Sequence, residues 1–488
     1  MKKPNVIVSL LVCLALVMVG IFLVKNLGEQ DVTETTGGKD EEIVLVSKKT
    51  SDVDYFQYTY GGETVTLKLK DGEFYAEEEP NFPLNQNAIA YMLVYATNVS
   101  SFKKVDTSSV KNVDAEFGFN SSVLDVKIYM KDGTVITETF GSYNSYTQNY
   151  FFKTSNKDGV YLVDETMLNY FKYTVYQLAE MPTDWSDFDL YTTLQFAVTS
   201  SENTFEFTSY GQGNPNYYDN SSKNYAWFLG FPYVNERACS TSPVQNLLKA
   251  ILDLKPDVAK DFNVTDQEWK DYGLENPKAN IFVYYCVEDE KTTDVNNEST
   301  QDVKTYSYYE YTLNIGFPAG NYTYVTLTIN KVDPATGEKT VHSNDQVVYG
   351  ILTDTLNKIL NFDVTSALTM DMCKVDISTV TKVEVTYADG TVITTNIEKD
   401  KATEQQTLLF TTLNSIVADD RTTISVTDTE PDITIKFYRN TEKFSEMTMT
   451  LTEYGTQYYR LSFAGENELL INKRQIQSLD KIIRGLEQ

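Results

Sequence analysis

The side chains that most often carry chemistry are few or scattered in this chain. His342 is its only histidine, within Thr340-Val341-His342-Ser343-Asn344, a stretch read as a loop edge. One histidine excludes the usual His-rich zinc sites, and a Ser-His-Asp triad would have to use it. Of four cysteines, Cys13 falls in an apolar run. Cys239, Cys286 and Cys373 remain, an odd number without CxxC spacing. They read as small buried residues with at most one bridge. The 69 acidic residues offer many carboxylate pairs, and no spacing singles one out for glycoside hydrolysis. The acidic run from Glu288-Asp289-Glu290 through Asp294, Glu298 and Asp302 lacks the Asp-x-Asp-x-Asp-Gly order of a calcium loop. It reads as a solvated hairpin insertion. No Gly-x-x-x-x-Gly-Lys-Ser/Thr loop occurs, so any nucleotide-driven motor is another chain. No catalytic residue, cofactor or metal site is assigned, and the chain is read as non-enzymatic.

Aromatic side chains in polar loops are the better candidates. Tyr143, Tyr146 and Tyr150, with Phe151 and Phe152, form one cluster; Tyr217, Tyr218, Tyr225, Trp227 and Phe228 form another. Rings among Asn and Ser suit stacking on sugars or packing on a protein partner. The net charge of -28 leaves no basic stripe to displace counterions, which excludes nucleic acid.

These loops need a scaffold. Val6 to Val24 is an apolar run of about 19 residues, roughly 28 Å as a helix, which matches a bilayer core. No small-x-small cleavage site follows it, so it reads as an uncleaved anchor. Lys2 and Lys3 before it put the short tail in the cytoplasm and the bulk outside. Residues 1–27 are then tail and membrane helix, and 28–42 a flexible linker.

Beyond the linker the periodicity switches between 2 and 3.6. Thr64 to Lys70 alternates, turns at Asp71-Gly72 and returns through Glu73-Phe74-Tyr75-Ala76, a hairpin signal. Ala88, Ile89, Met92, Leu93 and Ala96 then form a helical stripe. A second hairpin turns at Asp132-Gly133, and a second helix carries Met167, Leu168 and Phe171. A comparable order follows twice, with helices at Val244 to Leu252, Leu352 to Leu360, Leu408 to Val417 and Ile476 to Ile483. Ser242 is the expected N-cap of the first of these, with Pro243 in its first turn. Glu116-Phe117-Gly118-Phe119-Asn120 and Asp271-Tyr272-Gly273-Leu274-Glu275 occupy equivalent slots between helix and strand. The expected fold is α+β, with repeated hairpin and helix modules at 43–181, 190–370 and 375–488, mainly antiparallel sheets, and one transmembrane helix in front.

The marks Asp71-Gly72-Glu73-Phe74-Tyr75, Phe82-Pro83-Leu84-Asn85, Phe117-Gly118-Phe119 and Gly159-Val160-Tyr161-Leu162-Val163-Asp164 carry a resemblance. The first module resembles a family of bacterial envelope proteins known only as a domain of unknown function. The family's Tyr-Gly-Leu-x-x-Pro mark stands as Tyr272-Gly273-Leu274-Glu275-Asn276-Pro277 in module two, while module one has Ser122 in place of the proline. The resemblance implies a membrane-anchored protein of Gram-positive bacteria, encoded beside ABC-type transporter subunits and a gliding-motility-like auxiliary protein. The expected function is an extracytoplasmic accessory or binding protein of a transport or envelope-assembly system, with transporter subunits and the bilayer as partners. A cell-wall polysaccharide-binding or hydrolysing surface protein is the alternative, and a passive adhesive role the third reading.

Overall fold

The computed structural model describes residues 42–487, except 184, 186–187, 210–226, 234–236, 290–304, 345, 399–400, 423–429, 442–444 and 464–465. The expected membrane helix, nearly all of the linker and most of the acidic insertion lie outside the described residues. Among the described residues no helix is long and apolar enough to cross a membrane.

The chain is α+β, with mainly antiparallel sheets. Its first strands are β1 (Ile43–Ser47), β2 (Val53–Tyr60), β3 (Glu63–Lys70), β4 (Glu73–Ala76), β5 (Asn98–Ser101), β6 (Lys103–Lys104), β7 (Leu124–Met130), β8 (Val135–Asn144), β9 (Asn149–Thr154) and β10 (Lys157–Val163). β1 and β5 form a ribbon, and the others a sheet in the order β4-β3-β2-β7-β8-β9-β10-β6. Next come β11 (Thr193–Ser200), β12 (Thr204–Ser209), β13 (Trp227–Leu229), β14 (Arg237–Ala238), β15 (Val258–Phe262), β16 (Ala279–Glu288), β17 (Tyr306–Ala319), β18 (Tyr322–Val332), β19 (Lys339–Asn344) and β20 (Val347–Leu352). Their order is β14-β13-β12-β11-β16-β17-β18-β20-β15, with β19 also on β18. The last sheet holds β21 (Val380–Tyr387), β22 (Val392–Asn396), β23 (Asp420–Arg421), β24 (Ile433–Arg439), β25 (Glu446–Tyr454), β26 (Tyr458–Phe463) and β27 (Glu466–Asn472), ordered β22-β21-β24-β25-β26-β27-β23.

In each sheet a first strand (β2, β11, β21) lies between its hairpin partner and the start of a four-strand meander. In each, the last meander strand pairs with a short strand drawn from before the meander: β6, β15 or β23. By contact the chain divides into two compact units. Of the described residues, one takes those up to Thr66 with Ala90–Lys172; the other takes Leu67–Ile89 with those from Tyr173 onward.

Local chemistry explains the elements. Asp71 and Gly72 both adopt positive φ, as a type I′ turn requires. The turns at Asp132-Gly133 and Asp389-Gly390 are alike: the aspartate accepts a hydrogen bond from the Thr134 or Thr391 amide, and only the glycine has positive φ. Leu124, Val126, Ile128 and Met130 of β7 are buried, with the residues between them turned away, which is the expected alternation.

The helices are α1 (Gln86–Thr97), α2 (Val113–Glu116), α3 (Thr166–Phe171), α4 (Thr241–Leu252), α5 (Asp266–Asp271), α6 (Thr353–Leu360), α7 (Glu404–Ser415) and α8 (Lys473–Arg484). Asn85 caps α1 by accepting from Ala88 N–H at 2.9 Å. One cap differs from expectation: α4 starts after Ser240, two residues before Ser242. Ser240 N–H donates to Ala367 O at 2.8 Å, which holds that residue extended and leaves Pro243 within the first turn, where proline is tolerated.

One backbone contact occurs in both units. In the first, Phe117 O accepts from Ser142 N–H at 2.8 Å, and a Cβ on Gly141 would sit 2.1 Å from that oxygen. In the second, Tyr272 O accepts from Phe317 N–H at 2.8 Å, and a Cβ on Gly316 would sit 2.2 Å away. Gly118 and Gly273, next to the two carbonyls, have φ of 77° and 71°. Both contacts fall at register breaks, between Phe140 and Tyr143 and between Ile315 and Pro318. Gly141→Ala and Gly316→Ala should each cost about 1–3 kcal/mol by overpacking. Gly133→Ala, at an open turn, should cost only the strain of its φ, about 1–2 kcal/mol. Denaturant unfolding of the three variants measures this ranking.

Candidate functional site

Tyr143, Tyr146 and Tyr150 come together at the β8–β9 hairpin tip. Tyr143 and Tyr150 are cross-strand partners with ring centroids 5.1 Å apart. Between them Asn144 Oδ1 accepts from the Tyr146 amide at 3.0 Å, and Gln148 takes φ of 55° to close the turn. This places Tyr146 98% exposed and Tyr143 49% exposed. Tyr150 is half-buried against the edge of Phe140, and burial raises its phenol pKa. Phe152, two residues on and on the same face, packs edge-on to Phe140 at 5.1 Å and is core.

The second cluster behaves differently. Tyr217, Tyr218 and Tyr225 lie outside the described residues. Trp227 is 2% exposed, packed edge-on to Phe196 at 5.4 Å. It is a core residue and presents no surface to a ligand. β13 is only three residues long, all buried, so no alternation in the sequence marks its inward face.

His342 lies in β19 rather than at a loop edge, as the extra residue of a bulge between Val341 and Ser343, which both pair with β18, and its ring meets Tyr309 at 5.0 Å. Cys239, Cys286 and Cys373 are free thiols. Burial pushes Cys239 and Cys373 up to about 12, which disfavours thiolate chemistry. Among the described residues no His, Cys, Asp and Glu cluster is arranged to hold a metal ion.

Glu138 was not legible as unusual. It sits on β8 in phase with Ile136 and Phe140, and its carboxyl is fully buried with no hydrogen-bond partner on either oxygen. Desolvation raises its pKa well above the ordinary carboxylate range, favouring the neutral acid.

A cleft of about 830 Å³ lies within the second unit. One wall is Lys70 to Tyr75 and the other Pro80 to Leu84, with Gln86 and Glu180 completing it. Pro83 O accepts from Glu180 N–H, and Asn85 N–H donates to Leu178 O, which holds Pro83 to Asn85 in place beyond the turn at Pro80-Asn81. Behind it Phe82 is buried between Tyr176 and Phe262, at 5.2 and 5.6 Å. Asp261 accepts from Tyr272 at 2.5 Å, from Tyr176 at 3.1 Å and from the Phe262 amide at 2.8 Å. Burial, joined by the Asp261 charge, raises both phenol pKa values, so the tyrosines remain donors. The two sequence marks Asp71-Gly72-Glu73-Phe74-Tyr75 and Phe82-Pro83-Leu84-Asn85 therefore face each other across one cleft.

Residues 75–224 match the family described as Domain of unknown function (DUF4340). That span holds one cleft wall, the tyrosine tip and the Phe117-Gly118 turn. No curated protein and no solved structure matches the chain.

Trp227→Ala should destabilise the chain by about 3–5 kcal/mol, as a core truncation, in thermal or denaturant unfolding. Glu138 has a folded-state pKa above its unfolded value, so its contribution is fully present below the ordinary glutamate range and is lost as pH rises toward the raised pKa. Glu138→Gln should flatten that decline, and unfolding of parent and variant between pH 5 and about 8 measures it.

Proposed function

We propose that the chain is a membrane-anchored extracytoplasmic recognition protein, an accessory of a transport or envelope-assembly system. The apolar run Val6 to Val24, with Lys2 and Lys3 before it, supports the anchor and its orientation. The family resemblance supports ABC-type transporter subunits as partners. The three strand-rich modules, 43–181, 190–370 and 375–488, are read as copies of one architecture that carries binding loops away from the bilayer. Their shared pairing order and the paired Phe117-Gly118 and Tyr272-Gly273 contacts support this.

The observation that carries recognition is Tyr146. A nearly fully exposed tyrosine, held in place by a hydrogen-bonded turn and flanked by Tyr143, offers a large contact area at low entropic cost. Binding to a wall polysaccharide is the second reading, because the same two rings suit stacking on a sugar face.

The double variant Tyr143→Ala and Tyr146→Ala should weaken partner binding by roughly 2 kcal/mol or more, about thirtyfold, with an unchanged melting temperature. Co-purification of the full chain from membranes, compared between parent and variant, measures it. Undiminished capture of every partner would place the interface elsewhere, and loss of glycan binding alone would favour the second reading. Removal of residues 1–28 should move the chain from the membrane pellet to the soluble fraction.

A further inference from the structure

The cleft beside β4 has the geometry of a strand acceptor. β4 is the last strand on its side of the first sheet. Phe74 faces away from β3, and the Gln86 side chain takes both of its backbone groups. Gln86 Oε1 accepts from Phe74 N–H at 2.7 Å, and Gln86 Nε2 donates to Phe74 O at 2.9 Å. A carboxamide is chemically a peptide group, so Gln86 pairs with this edge as one residue of an added strand would. Ala76, two residues on, faces the same way but is fully buried, so the accessible pairing position on this edge is Phe74.

The surroundings define the visitor. Half-buried Phe74 and Tyr75 give the first wall apolar surface for alternate side chains, while Phe82 and Leu84 of the second wall are buried. Asp71, Glu73 and Glu180 on the lining outnumber Lys70. The run Glu77-Glu78-Glu79 continues the negative field, although Glu77 pairs with Lys68 and Glu79 lies near Tyr176. An anionic strand would meet like charge along its length; a cationic one would be drawn in.

We propose that this cleft binds an extended, lysine- or arginine-rich peptide segment, which pairs with the outer edge of β4 in place of the Gln86 side chain. The site is separate from the tyrosine tip and does not depend on the accessory reading. Main-chain pairing supplies the affinity, the rim carboxylates select charge, and Gln86 keeps the edge satisfied when no peptide is bound.

The test uses the full chain in nanodiscs, with a fluorescent alternating lysine–valine octapeptide and its glutamate–valine counterpart as probes. Anisotropy titrations at about 0.15 M salt should show binding of the lysine peptide only. Glu73→Lys with Glu180→Lys should weaken it by about tenfold or more. Glu404→Lys with Glu446→Lys makes the same charge change at exposed sites of α7 and β25, and should leave affinity within about twofold. Gln86→Ala should raise affinity a few-fold by clearing the edge, with melting curves confirming that each variant folds. No binding of the lysine peptide, or equal loss in the two charge-reversed variants, overturns the site. A drop in affinity on Gln86→Ala in a folded variant overturns the displacement of that side chain.

Discussion

A carbonyl oxygen seated where a β-carbon would be constrains more of this structure than any single side-chain contact. Phe117 O and Tyr272 O each lie over a glycine of a long meander strand and each accept the next residue's amide. Any larger residue at Gly141 or Gly316 would lift the turn off the strand. The amide of Ser142 or Phe317 would then lose its protein partner. The contact explains the register break beside it, since the bulge turns that amide toward the turn instead of the neighbouring strand. In the first unit the bulge also offsets the end of β8, from which the tip carrying Tyr143 and Tyr146 projects. In the second the same turn carries Tyr272, whose hydroxyl is a hydrogen bond to Asp261.

Asp261 links that turn to the cleft. Its carboxylate gathers donors from Tyr272, Tyr176 and its own strand, and Phe82 fills the apolar space between Tyr176 and Phe262. The polar and aromatic halves of the cluster fix the segment from the turn at Pro80-Asn81 to Gln86 at the start of α1. That segment is one wall of the cleft and also supplies the side chain that covers the edge of β4. The geometry of the cleft thus follows from a hydrogen-bonded carboxylate some distance behind it.

Two candidate surfaces of different character result. The hairpin tip presents rings on a rigid turn and suits a flat partner. The cleft presents a strand edge and carboxylates and suits an extended cationic segment. Buried Glu138 belongs to neither, and its cost falls on the stability of the first unit.

The sequence by itself determined what short-range physics decides. Alternation marked β3, β7, β21 and β24; positive-φ chemistry marked the turns at Asp71-Gly72, Asp132-Gly133 and Asp389-Gly390; apolar stripes marked α1, α4, α7 and α8. The exposed tyrosines of the β8–β9 tip were legible because polar turn residues surround them. Contacts between residues far apart in sequence decided the rest. Trp227 entered the core because β12 and β14 flank β13. His342 became a strand residue because its neighbours Val341 and Ser343 pair with β18. Glu138 was buried because β7 and β9 enclose it on both sides. The cleft exists because Glu180, nearly a hundred residues on, returns to hydrogen-bond beside Pro83. Local patterns record which face of an element is apolar, but not which distant element will cover it. Burial and edge position are set only when the sheets assemble.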